Sequence, residues 1–184
     1  MSKPNPAAMH LGIAEQGKIL ALKGDHNEAL RHYREALRIS MDQRAGDVFF
    51  QHYAQCVMES LELAGQYEEV VRYCRMMHDF LDQQPEGVAA VQRHRAHVWE
   101  REAVQHLLLK DPEAALECLK AAQQLLGRGK QPLTDQLLGW VQRGLRVTQR
   151  QIEQAQRNSS YFVVRQGKVR PELAIALPKT AGPF

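Results

Sequence analysis

Three short turns, each followed by the same kind of apolar stripe, constrain this chain more than any other feature of it. Aligned on the turn they read KGDHNEALRHYREAL, AGQYEEVVRYCRMMH and LKDPEAALECLKAAQ. After the first turn Ala29, Leu30, Tyr33, Ala36 and Leu37 recur at spacings of three and four, which puts them on one side of an α-helix. Val70, Val71, Cys74 and Met77 do the same after the second turn, and Ala115, Leu116, Leu119, Ala122 and Leu126 after the third. A helix pair of this kind cannot bury its apolar stripes alone. Stacked neighbours must complete the core, and the pattern therefore predicts an all-α helical array.

The punctuation agrees with that reading. Gly24 suits the left-handed position that follows a helix, and Asp25 and Asn27 are both able to cap the next one. Gly65 repeats the device, and Pro112 suits the first turn of the helix after Lys110 and Asp111. Helices are predicted over residues 10–23, 28–39, 47–63, 67–81, about 86–109 and 112–126. A seventh is predicted over residues 132–157, with Leu137, Val141, Leu145, Thr148 and Ile152 as its buried stripe, covering the last pair as a terminal cap. Residues 1–157 would form one domain. Residues 158–184 would form an extended tail, with a strand-like apolar run at 161–164 and prolines at Pro171, Pro178 and Pro183. Leaving that run in water is costly, so the tail is expected to fold back on the array or dock on a neighbouring copy. Leu173, Ile175 and Leu177 would then alternate inward.

The first unit resembles a tetratricopeptide repeat. That family sets a small residue in the first helix, a glycine at the turn, then Ala, an aromatic and Ala in the second helix, as Gly17, Gly24, Ala29, Tyr33 and Ala36 do here. The second unit keeps Gly65 but has Val70, Cys74 and Met77 in place of the trio. The third keeps Ala115 and Ala122, with Lys110 for the glycine and Leu119 for the aromatic. The distance from Gly24 to Gly65 also exceeds the family's repeat of about 34 residues. The resemblance implies a solenoid of about three helix pairs that binds another protein or peptide in a groove lined by the first helix of each pair. The helical phase places Lys18 on that lining, with His52, Gln55, Glu59 and Glu62 in the second pair and His97 and Arg101 in the third. A clamp for a carboxylate tail, known in some members, is not expected. Its positions hold Ala14, Lys18, Cys56 and His97, and only Arg101 fits.

Charge suggests a second candidate. Residues 1–127 carry 14 Lys/Arg against 18 Asp/Glu, and residues 128–184 carry 10 against 3, so the net charge of +3 is all C-terminal. On one continuous helix Arg143, Arg146, Arg150 and Arg157 would fall within about 60° of arc, opposite the apolar stripe. Such a face suits an acidic protein surface or, as an alternative function, nucleic acid. Catalytic, cofactor and metal sites are not expected. No phosphate-cradling glycine loop, G-x-S-x-G or H-E-x-x-H occurs, and neither the pair His94 and His97 nor the scattered Cys56, Cys74 and Cys118 have the spacing of a zinc motif. No leader sequence or membrane-spanning run is expected either, and three thiols dispersed among helices suit a reducing cytoplasm. The function expected is that of an adaptor, assembly factor or co-chaperone, with an export or assembly chaperone as a further alternative.

Overall fold

The computed structural model describes residues 8–85 and 87–178. Expectations resting on the leading residues 1–7, on Glu86 as the start of the third pair, and on Pro183 lie outside them. Among the described residues there are eight α-helices and no strand: α1 (Met9–Leu22), α2 (His26–Asp42), α3 (Asp47–Leu63), α4 (Tyr67–Asp82), α5 (Ala89–Leu108), α6 (Pro112–Leu126), α7 (Pro132–Gln142) and α8 (Gln149–Asn158). No described helix is long and apolar enough to cross a membrane. The chain divides into two compact units. Unit one comprises α1 to α3 and the tail from Val163 onward; unit two comprises α4 to α8 and ends with Tyr161 and Phe162. The tail expected as one piece is therefore shared between them.

In unit one α1 packs on α2, and α2 on α3. Local chemistry sets the helix ends. The Asp25 carboxylate accepts the Glu28 N–H and caps α2, while Gly24 takes φ +83° to end α1. The small residue at position 17 is a packing necessity, because a Cβ there would lie 2.7 Å from the Tyr33 ring. Tyr33 is fully buried, with Ala29 and Ala36 beside it on the same helix. Ile13, Ala14, Ala36, Ile39 and Tyr53 form the core cluster, and Ile175 and Leu177 of the tail pack against it.

In unit two α5 packs on α4 and α6, and α7 on α6. The Asp111 carboxylate accepts the Ala114 N–H at the start of α6, where Pro112 occupies the first turn. Lys110, which stands where the other turns have glycine, adopts the same left-handed conformation at φ +63°. Leu133, Leu137, Leu138, Ile152 and Ala155 join residues of α5 and α6 in one core. The predicted seventh helix is two helices. It stops after Gln142 because Gly144 takes φ +68°, and it restarts at a capping box in which Thr148 and Gln151 satisfy each other's backbone N–H groups. Leu145, expected on the buried stripe, is exposed in the connection. The single arginine face is a casualty of that break. Arg143 lies at the end of α7, Arg146 in the connection, and only Arg150 and Arg157 on α8. All three cysteines are buried, and none is in a disulfide.

Candidate functional site

The tail crosses unit one as an irregular segment, turning at Gly167 and again in a 3-10 turn at Pro171–Leu173, and five of its main-chain amides are captured along the way. Glu59, buried on α3, accepts the N–H of Val163 at 2.6 Å on one carboxylate oxygen and that of Val164 at 3.0 Å on the other. Glu15 on α1 accepts the Arg170 N–H at 2.7 Å, and its other oxygen is held by Lys18 at 2.8 Å. The carbonyl of Gly12 accepts the Ile175 N–H at 2.9 Å. His32 Nε2 accepts the Leu177 N–H at 3.1 Å. Its Nδ1 lies 2.7 Å from the Glu28 carbonyl, which can only accept. The two bonds together define a neutral imidazole with its hydrogen on Nδ1.

Each of these groups is placed by a helix. Gly12, Glu15 and Lys18 rise from α1 at steps of three, which stacks them on one face. Gly12 has no side chain because the tail needs the space: a Cβ there would lie 2.5 Å from Ile175 Cδ1 and 2.6 Å from the Leu173 carbonyl oxygen. Burial, and next the nearby Cys56, Glu59 and Glu15, raise the pKa of the Tyr33 hydroxyl, which therefore stays a neutral phenol. Carboxylates accepting two or more N–H groups make strong, charge-assisted bonds. None of the acceptors reads a tail side chain. Selectivity rests on Ile175 against Gly12 and on Leu177 against the core cluster.

No protein-family model, curated protein or solved structure matches this chain. What the groove can do follows from its chemistry. Around the tail it offers fixed hydrogen-bond acceptors on Glu15, Glu59, His32 and the Gly12 carbonyl, apolar contacts for Ile175 and Leu177, and the space left by Gly12.

The residues expected from the sequence are distributed as follows. Lys18 and Glu59 meet on the tail, Lys18 through Glu15. His52 sits on α3 with Nε2 3.8 Å from the Cys56 thiol, Gln55 is half-buried on the same helix, and Glu62 is buried. His97 and Arg101 belong to unit two. His97 is exposed with Nδ1 3.9 Å from Glu100, whereas Arg101 is only 6% exposed and lays its guanidinium 4.5 Å from the centre of the Tyr161 ring. Arg101 and Glu59, expected as open contacts on the groove lining, are both buried and engaged within the chain: Glu59 is only 2% exposed. Arg143 donates back to the Gly139 carbonyl, Arg146 lines a hollow with Leu107, Leu145 and Val147, and Arg150 is exposed. Of the tail positions expected to point inward, Ile175 and Leu177 do. Leu173 does not, being 44% exposed in a short 3-10 turn begun by Pro171. Sequence reasoning missed Gly12, Glu15 and His32. Gly12 did leave a signal, since a glycine inside a helix costs about 1 kcal/mol and so asks for a packing reason.

Four histidines give the fold a pH dependence of definite sign. Burial lowers the pKa of His10, whose Nδ1 lies 2.6 Å from the Tyr53 hydroxyl, and that of His26, where Asp25 opposes it. Burial first and then Lys18 lower His52, and burial with the neighbouring His97 lowers His94. The unfolded chain, with values near 6.5, therefore takes up protons before the folded one as pH falls. Stability should be fully present above about pH 6.5 and lost progressively below it. Thermal melts at pH 7.5 and 5.5 should show the lower midpoint at 5.5; equal midpoints would contradict the burial of these rings.

Proposed function

We propose that this chain is a tetratricopeptide-like interaction module with no enzymatic chemistry of its own. Its first unit binds an extended segment of a partner protein, and residues 163–177 of the chain occupy that position until the partner displaces them. The observation that supports this most is the run of captured amides at Val163, Val164, Arg170, Ile175 and Leu177. Main-chain bonds supply affinity for any extended segment, and a few side-chain pockets supply selectivity, as when a peptide is added to the edge of a sheet. The ligand implied is an extended stretch with a β-branched or aliphatic residue opposite Gly12 and another apolar residue two positions later. A role as adaptor, assembly factor or co-chaperone in a reducing compartment agrees with this and with the three buried thiols. Nucleic acid is not favoured, because the continuous arginine helix it relied on is interrupted at Gly144.

Capture experiments test the reading. A chain lacking residues 163–184 and the intact chain are used as baits side by side, and each is washed with a peptide of residues 163–178. Partners of the groove are held better by the shortened chain and are released by the peptide. Equal capture by both baits, with no release, would place the partner site elsewhere.

A further inference from the structure

Unit two brings together three side chains that no motif linked. Glu102 and His106 stand one turn apart on α5, and Cys118 comes from α6, which packs on it. A carboxylate oxygen, an imidazole nitrogen and the thiol sulfur all lie within 4.8 Å of one another. Glu102 and Cys118 are buried, and His106 is nearly so. The spacing is not that of a hydrogen-bonded pair. His106 Nε2 is 3.7 Å from Glu102 Oε1, too far for a hydrogen bond. It is close to the edge of a tetrahedron around an ion with bonds of about 2.0–2.3 Å.

The second oxygen of Glu102 is already engaged. His78 Nε2 lies 2.9 Å from Oε2, and the His78 ring lies against Trp99, tilted by 33° with centroids 3.8 Å apart. That arrangement turns Oε1 toward His106, and it is the outer-shell support that metal-bound carboxylates usually have. The guanidinium of Arg75, 3.9 Å from Oε1, is the one opposing charge in this set, and it hangs from an exposed side chain free to swing into solvent.

We infer that Glu102, His106 and Cys118 form a binding site for one divalent cation of the zinc class, with a water molecule in the fourth position. One nitrogen, one oxygen and one sulfur donor suit zinc or cobalt, and the thiol argues against calcium and magnesium, which take oxygen. When the metal–sulfur bond forms, the Cys118 thiol gives up its proton to solvent. The ion would tie α5 to α6. The sequence hides the site because Cys118 lies on a different helix from the other two ligands, outside any short zinc spacing.

The test uses the intact chain and cobalt(II) as the probe. One equivalent of cobalt should give a sulfur-to-metal charge-transfer band in the near ultraviolet, and zinc should abolish it by displacement. Cys118→Ala should lose the band, whereas Cys56→Ala and Cys74→Ala should keep it. His106→Asn should weaken binding at least tenfold. His78→Ala, which removes a positioning residue, should weaken it about 10- to 100-fold with the band still present at saturation. Circular dichroism checks that each variant is folded, and the His106 and His78 variants carry the test should Cys118→Ala fail that check. No band with the intact chain in excess cobalt, or a band unchanged in Cys118→Ala or in His106→Asn, overturns the site.

Discussion

A chain lacking residues 163–184 will bind a synthetic peptide of residues 163–178, and the intact chain will bind the same peptide about 100-fold more weakly. The first half of that result follows from the bonds. The Glu59 carboxylate receives two amides and Glu15 a third, and hydrogen bonds to charged groups contribute roughly 1.5–3 kcal/mol each. Ile175 and Leu177 add contact with the core cluster. Ordering the peptide opposes these contacts, so binding is expected to be weak, with a dissociation constant on the order of 10 μM. The second half follows from tethering. A covalently attached segment presents itself at an effective concentration of about 1 mM, and the ratio of that to 10 μM sets the factor of about 100. Fluorescence anisotropy of the labelled peptide reads both values. Since truncation also exposes apolar surface, the intact-length variant Ile175→Asp supplies a second route to the same comparison, and it should bind the peptide more tightly than the unaltered chain. Equal affinities for all three proteins would show that the tail does not compete for this groove.

Gly12→Ala will release the C-terminal half of the docked segment while leaving unit one folded. The added Cβ would lie 2.5 Å from Ile175 Cδ1, and that contact alone could be relieved by a rotamer change. The contact at 2.6 Å with the Leu173 carbonyl oxygen cannot, because it is backbone. The tail must move, and the Ile175 N–H then leaves the Gly12 carbonyl. The helix itself gains from the same change, by up to about 1 kcal/mol of propensity. These opposite signs make the signature specific. Amides of Ile175 and Leu177 should exchange at least tenfold faster, which corresponds to about 1.4 kcal/mol of lost protection. Those of Val163 and Val164, held by Glu59, should change less, and the melting midpoint should hold or rise. Gly139→Ala on α7 is the control: nothing lies within 4 Å of a Cβ there, so it should add about 0.5–1 kcal/mol of stability without touching tail exchange. Unchanged exchange at Ile175 and Leu177 in Gly12→Ala would show that the tail does not rest on that glycine.

The all-helical class was legible from periodicity, and so were most helix limits. Asp25, Gly24, Asp111 and Pro112 act at the turns as their chemistry predicts, because caps and turns involve residues only three or four positions apart. The long last helix was misread for a reason of the same local kind. Leu137, Val141 and Leu145 keep helical spacing across Gly144, and the apolar period outweighed a glycine that actually takes φ +68°. The capping box from Thr148 to Gln151 was there to be read as a new start. The helix side was legible for Lys18 and Glu59, which phase and the resemblance assigned to a partner groove and which lie here on the side that the chain's own tail covers, Lys18 through Glu15. Their burial was not, since phase says which way a side chain leaves its helix and nothing about what comes to cover it.

By itself the sequence determined the helices, their caps and the small residue that Tyr33 requires at Gly17. Only the tertiary structure decided which acceptors meet which amides. Glu59 finds Val163 across 104 positions, His32 finds Leu177 across 145, and Glu15 finds Arg170 across 155. A main-chain N–H is the same group at nearly every residue, so the sequence carries no mark of which one a buried carboxylate will receive. The partners are chosen by where packing of Ile175 and Leu177 on the helices sets the tail, and that placement is a property of the assembled unit.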